Sequence, residues 1–149
     1  MRAILQRVKR GRVYVAEKLS GDVQRGYVIL LGVTHGDGPA EAAKLAEKIA
    51  RLRVFEDEQG KMNLSALDVD ADVLVISQFT LFADTRKGRR PSFSQAAPPE
   101  IAEPLIARFI DQLRTLGINR VETGIFGAKM LVQIENDGPV TIILDTDTL

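Results

Sequence analysis

The stretch Gly26-Tyr27-Val28-Ile29-Leu30-Leu31-Gly32-Val33 runs through Thr34-His35-Gly36-Asp37-Gly38-Pro39 into Ala42, Leu45, Ala46, Ile49 and Leu52, and it holds two kinds of order. Its first eight residues form a short apolar run that opens on glycine, which predicts a buried strand. Its second half sets apolar residues at helical spacing behind a proline suited to the first helical position, which predicts an amphipathic helix. A strand passing through a polar turn into a helix makes the class α/β.

Toward the carboxyl end, Glu56-Asp57-Glu58-Gln59-Gly60 reads as a polar turn, and Val73-Leu74-Val75-Ile76 as a central strand with Ser77 and Gln78 at its carboxyl end. A long polar loop from Ala83 to Pro98 carries Arg86, Lys87, Arg89 and Arg90, and loops of that length usually have a function. Pro98-Pro99 opens a second helix whose apolar face is Leu105, Ile106, Phe109, Ile110, Leu113 and Leu116, with Gly117 as its stop. Met130, Val132 and Ile134 alternate with Leu131, Gln133 and Glu135. Asn136-Asp137-Gly138-Pro139 then interrupts before Val140-Thr141-Ile142-Ile143-Leu144, which predicts two closing strands flanking a turn. Toward the amino end, residues 1–16 mix β-formers with arginine and lysine and predict a partly exposed strand or a bent pair of strands, followed by turn chemistry at Ser20-Gly21-Asp22. The expected fold is a single domain over residues 1–149: a mostly antiparallel or mixed, barrel-like sheet with two amphipathic helices packed on it.

Composition narrows the chemistry. Twenty basic residues balance twenty acidic ones, so no global positive field draws the chain to nucleic acid, and any RNA contact has to be a local patch. The absence of cysteine excludes thiol catalysis and thiolate metal sites, and one histidine, His35, cannot supply the usual zinc ligand sets. His35 stands between a strand and a helix without a G-x-S-x-G serine elsewhere, so it reads as a turn residue with no catalytic role. No phosphate-cradling or dinucleotide glycine motif is present, and neither metal nor cofactor is expected. The amino terminus meets a second arginine before any signal-length apolar run, and no stretch reaches membrane-spanning length; a cytoplasmic protein without membrane contact is expected.

Ser77-Gln78-Phe79-Thr80-Leu81 and Asn136-Asp137-Gly138-Pro139-Val140-Thr141, taken together, resemble the D-aminoacyl-tRNA deacylase family. The similarity spans the chain through Gln6-Arg7-Val8, Lys61-Met62-Asn63-Leu64, Arg90-Pro91-Ser92-Phe93 and Gly124-Ile125-Phe126-Gly127-Ala128-Lys129-Met130, in family order. Gly11-Arg12 and the segment from Ala16 to Ser20 are the departures, and both lie away from the site. The resemblance implies hydrolysis of the ester between a D-amino acid and the 3′ terminal adenosine of tRNA, by a homodimer with sites at the subunit interface. It implies catalytic roles for Thr80, Gln78 and Phe79, and substrate contacts from Ser77, Gly138, Pro139, Phe126, Met130 and Arg7. In the family the Gly138–Pro139 bond is cis and walls the partner's pocket against L side chains. Glycine has no side chain to exclude, so glycine mischarged on tRNA(Ala) is a further expected substrate.

An aminoacyl ester is labile, so positioning and oxyanion stabilisation matter more than a strong nucleophile. Thr80 as nucleophile and hydrolysis assisted by the ribose hydroxyl of the tRNA itself are the two mechanisms, and the lack of a visible base favours the second. Phe79, Phe126 and Met130 read as walls for the terminal adenine or equally as core packing. Arg86, Lys87, Arg89 and Arg90 read as phosphate contacts or as a solvated loop. Arg7 reads as a site residue paired across the interface or as part of an exposed strand face. Two rival functions remain: a non-enzymatic RNA-binding module, favoured by the basic loop, and a small-molecule esterase, disfavoured by the missing triad and metal set.

Overall fold

Strand β1 (Arg2–Val15) organises the molecule, which a computed structural model describes over residues 1–149. On one edge β1 pairs antiparallel with β3 (Gly26–Gly32) through Arg2–Val8 and with β2 (Lys18–Val23) through Gly11–Val15. On the other edge β8 (Met130–Asp145) follows it from Val15 to Arg2. Beyond β3 the sheet continues in parallel through β6 (Asp72–Ser77) to β7 (Val121–Thr123), giving the order β2-β1-β3-β6-β7 with β8 on β1. The end strands of that path approach each other: the Ser20 hydroxyl donates to Thr123 O at 3.3 Å, and Arg120 Nη2 donates to Asp22 O at 2.7 Å. The mixed sheet therefore curls into a nearly closed barrel, in line with the barrel-like sheet expected from the sequence.

Glycines permit that curl. A Cβ on Gly11 would stand 2.5 Å from Val28 Cγ2, and one on Gly21 would meet Leu74 Cδ1 at 3.0 Å and Thr123 O at 3.2 Å. Val8, Val13, Val23, Val28, Leu74 and Ile76 fill the interior beneath them. This corrects the expected turn at Ser20-Gly21-Asp22: these residues lie inside β2, and Gly21 is there for close approach rather than for chain reversal. The reversal sits earlier, at Ala16 and Glu17, with φ of 46° and 66°.

Two helices cover the opposite face. Helix α1 (Pro39–Arg51) opens with Pro39 at its first position and with the Glu41 carboxylate accepting the Gly38 N–H at 2.8 Å. Helix α2 (Pro99–Thr115) closes before Gly117, whose φ of +106° suits glycine. Leu45, Ile49, Phe109 and Leu113 from the helices pack against Leu5, Tyr27, Ile29 and Leu31 of the sheet. The polar turn at 56–60 joins two short strands, β4 (Phe55–Glu56) and β5 (Met62–Leu64).

A second correction concerns β8. The residues Asn136-Asp137-Gly138-Pro139 do not reverse the chain between two strands; they bulge from one continuous strand. Met130–Asn136 pairs with Val15–Val8 and Thr141–Asp145 with Gln6–Arg2, so both halves share the partner β1 and keep their direction. The Gly138–Pro139 peptide bond within the bulge is cis.

Candidate functional site

Ser77 ends the interior strand β6, and the Gln78 N–H still donates to Leu31 O at 2.8 Å, so the chain leaves the strand in a fixed direction. A 3-10 turn, Phe79–Phe82, follows at once. Gly32 makes room for it, since a Cβ there would lie 3.0 Å from Gln78 O and 3.1 Å from the Phe82 ring. Arg2 fastens it: Nη1 donates to Leu81 O at 2.9 Å, the guanidinium stands 4.9 Å above the Phe82 ring, and Nε donates to Asp145 at 2.8 Å. Neither Arg2 nor Gly32 carries a local sequence signal, because each acts on residues more than forty positions away.

Against this turn lies a cavity of about 550 Å³. Ser77, Gln78 and Phe79 form one rim, Phe126 and Met130 another wall, and Leu31, Val33 and Ile106 belong to its apolar lining. Gly124 permits the Met130 thioether to cross the site, since a Cβ would meet its sulfur at 2.3 Å. Phe79 is 56% exposed, which removes core packing as the reason for that ring. Five expected site residues thus converge on one concavity that is apolar inside and polar at the strand end, the general form of a small-molecule or nucleoside site.

The chemistry of this rim is neutral. No carboxylate, histidine, lysine or arginine lines the cavity, and no group of three or more metal-ligating side chains occurs in the structure. Thr80 is exposed beside the cavity, and its hydroxyl accepts a hydrogen bond from the Gln78 amide nitrogen. An amide N–H donates and cannot take up a proton, so this contact orients the threonine oxygen without activating it.

Arg7, Gly138 and Pro139 do not line the cavity of their own chain; they form a separate cluster on the β1–β8 ladder. Arg7 is only 5% exposed, which overturns the exposed-face reading of that residue. Its guanidinium donates to Val54 O at 2.6 Å, to Asp137 O at 3.0 Å and to Glu56 at 3.4 Å, all within the chain. Asn136 holds the bulge from its other end, with its Oδ1 accepting the Val140 N–H at 2.8 Å and its Nδ2 donating to Val140 O and Thr141 Oγ1, both at 3.2 Å. Gly138, at φ +139°, has no space for a Cβ, which would stand 2.9 Å from Val140 N. Asn136 was not singled out from the sequence, although an asparagine two residues before a glycine is an ordinary signal for a side-chain staple.

The basic loop is organised rather than free. Asp84 and Ser92 exchange backbone hydrogen bonds at 2.7 and 2.9 Å and pinch its base. Arg86 grips Asp84 through Nε at 2.9 Å and Nη2 at 2.7 Å, and this pair, with the Arg86 backbone N–H, lowers the Asp84 carboxyl to about 2. Arg86 is thereby matched within the loop, and Lys87, Arg89 and Arg90 stand exposed.

The family described as D-Tyr-tRNA(Tyr) deacylase matches residues 4–145. A D-aminoacyl-tRNA deacylase of Roseiflexus sp. (strain RS-1) is 57% identical over 146 residues, covering 98% of this chain and 94% of that protein. The solved structure of a c-Myc DNA Unwinding Element Binding Protein superposes with a TM-score of 0.91 at 42% identity, covering 97% of this chain and 98% of that one. A structure described as a probable eukaryotic D-amino acid tRNA deacylase shares the fold, with a TM-score of 0.83 at 18% identity over 96% of this chain and 97% of that one.

Proposed function

The chain belongs to the D-Tyr-tRNA(Tyr) deacylase family, and from that premise we propose how its site hydrolyses D-aminoacyl-tRNA and refuses the L form. The observation that carries the reading is the convergence of Ser77, Gln78 and Phe79 with Phe126 and Met130 around one neutral, largely apolar cavity. The terminal adenosine enters that cavity, its base against Phe79, Phe126 and Met130, and its ribose ester lies at the Gln78–Thr80 rim. Water adds to the ester carbonyl with a ribose hydroxyl of the same adenosine assisting; the acyl C–O bond breaks, and free D-amino acid and tRNA leave. Gln78 N–H is already bonded, so the developing oxyanion takes its donors from Phe79 and Thr80, at the first two positions of the 3-10 turn where backbone N–H groups lack intrahelical partners.

Gly138 and Pro139 stand away from their own chain's cavity, which supports a site completed by a second copy. In that homodimer the Gly–Pro bulge of one subunit walls the amino-acid end of the other subunit's site. Glycine allows the backbone to come close and proline holds it stiff, while Arg7 and Asn136 brace it from behind. A side chain in the L configuration meets that wall, a D side chain points away, and glycine passes, so glycyl-tRNA(Ala) is a second substrate. Lys87, Arg89 and Arg90, with Arg86, approach acceptor-stem phosphates. No helix is long and apolar enough to cross a membrane, and the reading places the enzyme in the cytoplasm with the tRNA pool.

The deciding experiment is release of amino acid from tRNA charged with D-tyrosine, L-tyrosine or glycine, with the protein's size measured in parallel. Rapid release from the D-tyrosyl and glycyl esters, sparing of the L-tyrosyl ester and a two-chain particle are expected. Binding of uncharged tRNA without release of any of the three would instead favour the non-enzymatic nucleic-acid-binding reading.

A further inference from the structure

Residues 85–95 are all exposed, and one of them is a phenylalanine. Phe93 belongs to neither hydrophobic cluster and is 38% exposed. Its ring meets Phe79 edge-on, with centroids 5.0 Å apart and planes at 72°, and both rings line the 550 Å³ cavity. Phe93 keeps 38% of its surface in solvent outside both apolar clusters and packs on a ring that is itself 56% exposed, so core packing alone does not account for its position.

The backbone around Phe93 is nevertheless fastened on both sides. Upstream, Ser92 is tied to Asp84 by the two bonds that pinch the basic loop. Downstream, Phe93 O accepts the Ala96 N–H at 3.0 Å, His35 Nε2 lies 3.1 Å from Ser94 O, and the Thr34 hydroxyl donates to Gln95 O at 2.6 Å. Ala97 N–H continues the clasp to Val33 O at 3.0 Å. Thr34 is itself fixed, since its N–H donates to Asp37 at 2.7 Å. The one histidine of the chain thus serves as a donor to a carbonyl in this clasp. Preorganised placement of an exposed ring at a cavity mouth is the arrangement a stacking contact needs.

We propose that Phe93 is a substrate-binding residue that forms an aromatic corner with Phe79 for the terminal nucleobase, and that Thr34 and His35 are positioning residues that hold this corner in place. The inference rests on the deacylase reading above and adds to it. It also explains why the phosphate-facing cations and the base-facing ring share one loop: Arg90 and Phe93 are three residues apart, on either side of the residue that closes the pinch.

The test pairs kinetics with direct binding. Phe93→Ala is expected to raise KM for D-tyrosyl-tRNA roughly ten- to a hundredfold, with kcat changed far less, because base stacking contributes to binding and not to the chemical step. Phe93→Leu should fall between, and Phe93→Tyr should stay near the parent. His35→Ala should raise KM in the same direction, with rescue by His35→Gln, whose amide can donate to the same carbonyl. The chain contains no tryptophan, so Phe93→Trp introduces a single indole at the corner. Its emission should change saturably with the non-hydrolysable analogue 3′-(D-tyrosylamino)-3′-deoxyadenosine. Unchanged KM in Phe93→Ala together with a silent Trp signal would overturn the proposal while leaving the deacylase reading intact. A saturable Trp signal in a protein that releases no amino acid would sink the deacylase reading and leave the aromatic corner standing.

Discussion

Arg7 shows what one residue can and cannot disclose. A charge at this position of β1 was visible as unexpected, but its partners include the backbone carbonyls of Val54 and Asp137, and backbone acceptors carry no sequence signature. Arg7→Ala leaves both carbonyls without their charged donor, and a loss of about 2–3 kcal/mol is expected, read as a lower urea midpoint with unchanged slope. Asp84 makes a pH prediction. Its carboxyl is held at about 2 by the Arg86 side chain and backbone, below the ordinary 3.8. A depressed carboxyl stabilises the folded loop above the ordinary value, and that contribution disappears as pH falls from there through about 2. A carbon-detected NMR titration should show the low midpoint, and Arg86→Ala should return it toward the ordinary value; a midpoint indifferent to that substitution would contradict the pairing. Thr80 separates the two mechanisms. With only an amide N–H beside it, Thr80→Ala is expected to keep most of its turnover, whereas a covalent nucleophile's removal would cost more than about a thousandfold in single-turnover rate.

Elements were legible where a pattern was local and periodic. Both helices could be read from 3.6-residue spacing, with Pro39 and Pro99 at their starts and Gly117 at the end of the second. Strand β6 and its polar carboxyl end, which forms the site's rim, could be read from a short, continuous apolar and β-branched run. The β8 bulge could not, because Asn-Asp-Gly-Pro has the chemistry of a reversal, and only the shared partner β1 shows that the chain carries straight on. The tight turn between β1 and β2 was misplaced for a related reason: Ala16 and Glu17 adopt positive φ although neither residue favours it, while the glycine nearby serves packing. That turn predicts its own improvement. Ala16→Asn combined with Glu17→Gly should relieve left-handed strain and raise stability by about 1 kcal/mol, seen as a higher Tm; no change would mean that the hairpin tip tolerates the conformation without cost.

At the scale of the whole molecule, zero net charge and a local cationic loop coexist, and this fixes how tRNA affinity should respond to salt. With Lys87, Arg89 and Arg90 each neutralising one phosphate, the logarithm of the binding constant should fall against the logarithm of salt concentration with a slope of about −2 to −3 per chain. Fluorescence anisotropy across a salt series measures it, and a flat line would show that the loop stays solvated. The ladder between β1 and β8 has a consequence in time rather than in space. Arg2 pairs with Asp145, so β1 is synthesised more than a hundred residues before the strand that covers this edge. At cellular synthesis speeds it waits on the order of ten seconds with one edge unsatisfied. An unpaired strand edge left open that long invites pairing with other chains, and like charges such as those of Arg2, Arg7, Lys9, Arg10 and Arg12 along β1 oppose such pairing.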